Sequence, residues 1–342
     1  MNKQFFIGID ISMATLDAAL CQAEHPDHFT HQQFDNTVTG YGKLLSWLGE
    51  HGAHASNSFL GMEHTGHYTL SLCCFLQEND IPYTLISPLH LKRSLGMARG
   101  KSDRIDAGRI AWFICLHQRS LTPIQLPSGC LLKLKNLLAF RDRLVKASTS
   151  LKNTLTDLKE TSNLIDNTMI IKLSQKQQNL IEQQIAQIEK EMEATVKQDE
   201  QVLRHFQLVK SVVGVGMITA AAFLIYTQGF TAFDNGRQFA CYAGVAPIEH
   251  SSGSSIRGKT RISSLGNKKM KALLSNCAAA AVQHDPQLKA YRSGGRYQRK
   301  HAEGKERLVI LNAVKAKLIN RVFAAVSRGT PYVPIAQYGQ AA

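Results

Sequence analysis

Residues 5–11, Phe5-Phe6-Ile7-Gly8-Ile9-Asp10-Ile11, decide the fold. A run this apolar reads as a strand near the middle of a sheet. Asp10 is the exception within it. An unpaired carboxylate near a sheet core costs several kcal/mol, and a divalent cation is one way to offset that cost. The other reading is a strand end, with Asp10 facing water or starting an Asx-type turn before Ser12.

Outward from this strand, Thr15 to Cys21 and Phe29 to Phe34 read as two more strands. Gly40 to His51 has helical spacing through Tyr41, Leu44, Leu45 and Leu48. Ser58 to Met62 is a strand, His67 to Glu78 a helix, and Ile81 to Ile86 a strand stopped by Ser87-Pro88. Ser102 to His117 reads as a helix. This order predicts a mixed α/β sheet covered by helices over residues 1–125. From Lys133 to Phe206 there is no proline or glycine, and leucines recur near heptad spacing. Residues 126–206 are therefore expected to form two long helices, as an antiparallel hairpin or an intermolecular coiled coil, joined near 160–175. Residues 207–342 form a third, mainly helical region, with a Val-Gly-Val-Gly turn at 213–216 and helices near 264–283 and 305–327.

Charge is distributed unevenly. Residues 1–120 carry nine Lys and Arg against eleven Asp and Glu, and residues 121–205 carry twelve against ten. Residues 206–342 carry nineteen against five, which accounts for the formal net charge of +14. A basic last third beside a near-neutral first third points to a polyanion such as nucleic acid; the alternative is a basic face kept for solubility. The seven cysteines form no C-x-x-C pair and read as reduced small hydrophobes. No apolar run reaches the roughly 18 residues of a membrane span. Asp10 comes too early for a secretory signal, so a cytoplasmic location is expected.

Three further acids fit beside Asp10. Glu63 ends the strand over 58–62, and Asp103 and Asp106 lie three apart at a helix start, on one face. Taken singly, Glu63 reads as a surface acid, and Ser102 or Asp103 as a helix cap with acids suited to the N-terminal dipole. Together they supply the hard oxygen ligands that two metal ions need for in-line phosphoryl transfer. This is the arrangement of RNase H-like, RuvC-type nuclease folds. The blocks Ile7-Gly8-Ile9-Asp10-Ile11-Ser12, Glu63-His64-Thr65-Gly66-His67-Tyr68 and Gly100-Lys101-Ser102-Asp103-Arg104-Ile105-Asp106-Ala107 resemble the DEDD motif blocks of the insertion-sequence-110 transposases, a group that includes the Piv-type DNA invertases. The resemblance implies a Mg²⁺-dependent site built from Asp10, Glu63, Asp103 and Asp106.

By composition alone, Ser251 to Ser255 is a flexible loop. The stretch Phe239 to Pro247, running on through Ser251-Ser252-Gly253-Ser254-Ser255-Ile256-Arg257-Gly258, is similar to the family's C-terminal domain, whose serine motif implies a nucleophile at Ser252. Ser251, one residue earlier, is the rival. The resemblance implies strand cleavage and exchange on DNA through a phosphoserine intermediate. Such exchange needs a dimer or tetramer, and in the transposase branch it is guided by a structured non-coding RNA, which the invertase branch need not share. Arg257, Lys259 and Arg261 would position phosphates, or else belong to a solvated basic loop. Gly214 and Gly216 resemble a helix-hairpin-helix turn whose amides approach a phosphate. Lys101, Lys268 and Lys269 add to the nucleic-acid surface, as do Lys271, Arg292, Arg296, Arg299 and Lys300.

Other classes fit less well. Gly96 to Ser102 mimics a P-loop but has three residues between the glycines where four are required. An actin-like ATPase or sugar kinase also begins with a Gly-x-Asp strand, yet further glycine-rich phosphate loops are not found. A non-catalytic nucleic-acid scaffold would explain the charge and leave Asp10 without a reason to sit in an apolar strand.

Overall fold

The computed structural model describes residues 3–64, 66–94, 102–252, 256–288 and 307–334. The chain divides into two units, Met1–Leu126 and Pro127–Ala342.

In the first unit the strands are β1 (Phe5–Ile11), β2 (Thr15–Gln22), β3 (His25–Asp35), β4 (Ser58–Glu63) and β5 (Tyr83–Ile86). They form one mixed sheet in the order β3-β2-β1-β4-β5. β1, β2 and β3 are antiparallel neighbours, whereas β4 runs parallel to β1 and β5 parallel to β4. β1 is therefore central, as its unbroken apolar run requires.

Helix α1 (Val38–Glu50) and helix α2 (Leu70–Glu78) cover one face. There Ile7, Ile9, Leu16, Leu60 and Met62 pack with Tyr41, Leu44, Leu48, Leu72 and Leu76. A short helix, α3 (Pro88–Ser94), follows β5, and α4 (Asp103–His117) crosses the other face. On that face Phe6, Ala19, Cys21 and Phe59 meet Ala107, Ile110, Ala111 and Ile114. Two glycines set the spacing. A Cβ on Gly8 would land on the Ala107 and Ala111 backbone, and one on Gly61 on the Ile114 side chain.

The second unit opens with α5 (Gly129–Glu160) and α6 (Thr168–Val196), antiparallel and joined by a shorter link than the predicted 160–175. Lys133–Glu191, Arg141–Glu189 and Lys152–Glu182 pair across them at 2.6, 2.6 and 3.0 Å, and Gln178 donates to Ser148 at 2.8 Å. Exposed pairs of this kind add at most about 1 kcal/mol each. The apolar base holds the hairpin: Leu131, Leu134, Leu138, Met192 and Val196 join the same core as Phe206, Phe223, Phe239, Leu274 and Leu318. The long apolar pattern read as running through 206 breaks instead at Asp199, whose side chain caps a separate helix, α7 (Glu200–Lys210), by accepting from Val202 N at 3.1 Å. The remaining elements are α8 (Met217–Tyr226), α9 (Gly236–Tyr242), the strands β6 (Pro247–Ser252) and β7 (Ile256–Ile262), α10 (Lys268–His284) and α11 (Arg307–Arg328). β6 and β7 are an antiparallel pair. The Gly/Ser-rich stretch is thus not loop throughout, because β-branched Ile256 and Ile262 of β7 favour the pairing that serine and glycine do not.

No helix among the described residues is long and apolar enough to cross a membrane.

Candidate active site

Strand register and helix packing place the acids on the α4 side of the sheet. Side chains alternate along a strand, so Gly8 and Asp10 of β1 point to the α4 face. Gly61 and Glu63 of β4 do the same, because β1 and β4 pair in parallel with Gly8 beside Gly61. Asp103 and Asp106 occupy the first turn of α4. That helix is capped by Ser102, whose hydroxyl accepts from Ile105 N at 3.3 Å, so neither acid is needed as the cap. Asp106 accepts from Arg109 Nη1 at 2.8 Å.

The charges of these acids are felt at Asp10. Burial first, then the carboxylates of Asp103, Asp106 and Glu63, push the Asp10 carboxyl up to about 6, against a weaker opposing pull from the Ile11 backbone. Among the described residues no three His, Cys, Asp or Glu side chains are drawn close enough to form a ready-made metal cage. Four like charges repel one another, and Arg109 holds one of them. The donor set nonetheless suits a hard divalent cation, being all carboxylate oxygen. The destabilised Asp10 charge is what such an ion would relieve.

The serine segment lies in the second unit. Ser251 pairs with Arg257 and Ser252 with Ile256, at the end of the β6–β7 ladder farthest from Pro247 and Ile262. Lys259 and Arg261 belong to β7. The side chains of these six residues lie outside the described part, as do Lys101, Arg292, Arg296, Arg299 and Lys300. Lys268 is exposed at the α10 start, and Lys269 pairs with Asp142 of α5 at 3.0 Å.

Comparison with known proteins adds a family. Residues 7–161 match a family described as "Transposase", of the DEDD type named for insertion sequence IS110, and residues 206–293 match the "Transposase IS116/IS110/IS902 family". The chain belongs to the IS110 family of transposases. As such it is a DNA recombination enzyme. The pilin gene-inverting protein of Moraxella bovis is 25% identical over 97% of this chain and 98% of its own length. The transposase for insertion sequence element IS1111A of Coxiella burnetii is 29% identical over 60% of each chain. Among solved structures, Thermus thermophilus RuvC in complex with a Holliday junction substrate is similar over 35% of this chain and 99% of its own, with a TM-score of 0.28 and 12% identity.

In this IS110-family chain, sequence reasoning passes over one acid. Asp17 stands opposite Asp10 in the β1–β2 pair and is 4% exposed. His31 Nε2 lies 2.7 Å from its Oδ1, and Gln33 Nε2 donates to its Oδ2 at 3.0 Å. Its signal was legible: Thr15-Leu16-Asp17-Ala18-Ala19 places an acid in an apolar strand, as the first strand does. The two glycines of the predicted hairpin turn also differ. Gly214, at φ +91°, packs against α10, where a Cβ would lie 2.7 Å from Ala281 Cβ and Cys277 O; Gly216 faces open space.

Proposed function

We propose that this family member is an RNase H-like, Mg²⁺-dependent DNA strand-transfer enzyme, in which Asp10, Glu63, Asp103 and Asp106 hold the metal and Ser252 is the nucleophile. The observation that carries the reading is the raised proton affinity of Asp10, caused in part by the other three carboxylates. Acids from β1, β4 and α4, remote in sequence, thus act on one point. The sheet order, with β1 central and parallel only to β4, supports the fold assignment.

When bound, the divalent ion would supply Lewis-acid stabilisation of charge on the phosphoryl oxygens. Asp10 and Glu63, on neighbouring strands, fix the rigid half of the donor set, and α4 presents the other half. Arg109 orients Asp106 by a charge-assisted bond. Ser252 Oγ attacks the scissile phosphorus, its proton leaves to base, and the displaced 3′ oxygen departs with the bond electrons. The phosphoserine ester conserves the bond energy until a 3′ hydroxyl of a second strand attacks and releases the serine. Arg257, Lys259 and Arg261, on the strand paired with the serine strand, stabilise phosphate charge.

Exchange between two duplexes requires more than one subunit. The α5–α6 hairpin exposes Leu164, Ile165, Met169 and Ile170 near its tip, which supports it as an oligomerisation arm of coiled-coil type. A structured RNA that selects sites completes the transposition reading. Site-specific inversion is the second reading, favoured by the end-to-end similarity to pilin gene-inverting proteins.

The test is to trap a covalent protein–DNA adduct on a denaturing gel with and without Mg²⁺. Ser252→Ala is expected to abolish the adduct and Ser251→Ala to leave it. An adduct that survives Ser252→Ala, or forms equally in chelator, removes the mechanism.

A further inference from the structure

The second unit contains a lysine that this chemistry leaves unused. Lys315 of α11 is 7% exposed and has no hydrogen bond or ion pair among the described residues. Among the described residues, two acids near α10 and α11 are engaged elsewhere: Asp142 with Lys269, and Asp285 with Arg321. Instead, the charge acting on Lys315 is that of another lysine, the half-buried Lys271 of α10. Burial first, and then Lys271, hold the Lys315 ammonium below the ordinary lysine range. An ammonium in such surroundings without a counter-anion is costly.

Its location gives the cost a use. One turn earlier on α11, Asn312 Nδ2 donates to the Val245 carbonyl at 2.7 Å, while its Oδ1 is buried without a partner. At the start of α10, Asn267 N donates to the Tyr242 carbonyl at 2.8 Å, and Gly266 packs against Gly244. Both helices are therefore pinned to residues 242–246, the segment that leads into β6, and each carries its lysine one turn from the pin.

We propose that Lys315 and Lys271 together grip one backbone phosphate of the nucleic-acid strand as it passes the root of the β6–β7 hairpin. The inference rests on reading the second unit as the half that handles nucleic acid. It makes the lysine pair a positioning site, which sets where the strand lies and carries no sequence information. The competing account is a lysine whose stem is buried while its ammonium reaches water, with no ligand at all.

The experiment measures affinity of the full-length protein for a duplex by fluorescence anisotropy over a salt series. Lys315→Met is expected to weaken binding roughly tenfold. It should also lower the slope of log affinity against log salt by about one. Its melting temperature should equal or exceed that of the parent, since a buried lone charge is gone. Lys271→Gln, at a half-exposed position, should move affinity and slope the same way, and it carries the test alone if Lys315→Met does not fold. Folded variants with parental affinity and slope overturn the proposal. So does a melting temperature raised by inorganic phosphate in the parent and not in Lys315→Met, if DNA affinity is the same in both, because the site would then take a free anion. A parent that binds no DNA overturns the proposed function as well; a parent that binds, with variants that match it, overturns only this inference.

Discussion

Gly8 lies so close to the backbone of Ala107 that β1 and α4 admit no side chain between them. The glycine two residues before Asp10 therefore sets how far Asp103 and Asp106 stand from it. Gly8→Ala must push α4 away from the sheet. Overpacking of this kind costs about 1–3 kcal/mol. Displacing catalytic groups by about 1 Å costs on the order of a hundredfold in rate. Denaturant melts and strand-cleavage rates should show the activity loss exceeding the stability loss. A Gly8→Ala protein with parental rate would mean that α4 does not position the acids.

The raised Asp10 carboxyl makes a prediction with a definite sign. Its folded-state value of about 6 lies above the ordinary 3.8. The fold is therefore favoured while Asp10 is protonated: this contribution is complete below pH 3.8 and is lost as pH rises through about 6. In chelator at neutral pH, Asp10→Asn should then raise the melting temperature by on the order of 4 °C, corresponding to about 1 kcal/mol after discounting for partial exposure. The same substitution should abolish cleavage. Added Mg²⁺ should stabilise the parent and leave the variant unmoved. Scanning calorimetry in chelator and in Mg²⁺ checks both; a variant less stable than the parent in chelator would contradict the crowding of acids around Asp10.

Much of the first unit is legible in sequence because each buried strand carries its own signal. Phe5 to Ile11 is apolar throughout, and Ser102 announces α4 by a capping serine before an apolar-periodic run. The nearness of Glu63, Asp103 and Asp106 to Asp10 is suggested by residue type and position together with the resemblance, since parallel pairing of β1 with β4 is a long-range fact that no local pattern encodes. The serine strand is misread by composition: serine and glycine favour loops, and the ladder is written in Ile256 and Ile262 across from it. Asp17 is overlooked because its partners, His31 and Gln33, come from a strand whose polar residues look like a solvated edge.

The two glycines of the 213–216 turn should behave oppositely. Gly214 has a positive φ and lies against Ala281 and Cys277. Gly214→Ala is therefore expected to cost about 1–3 kcal/mol through strain and overpacking, without any role for nucleic acid. Gly216 precedes α8 at φ −87°, in open space. Gly216→Ala should leave stability within about 0.5 kcal/mol while weakening DNA binding, if its amide approaches a phosphate. Chemical denaturation and a DNA-binding titration separate the two. Equal effects on stability would show that the turn is not built as described.

A buried ion pair in the second unit is one that no sequence pattern announces. Asp285, fully buried at the end of α10, accepts from Arg321 Nη1 of α11 at 2.8 Å and from the backbone of Leu288 at 2.9 Å. The same guanidinium lies 4.8 Å from the centre of the Tyr332 ring. Removing one member of a buried pair strands the other's charge in a dry site, which costs about 3–5 kcal/mol. Arg321→Met should therefore destabilise the protein by that amount, whereas Asp285→Asn combined with Arg321→Met should recover part of the loss, because no charge is then left alone. A double-mutant cycle by urea denaturation measures the coupling. If the double variant is as unstable as the sum of the singles, the pair is not coupled, and the anchoring of α11 to α10 must rest on Leu274, Ala278 and Leu318 alone.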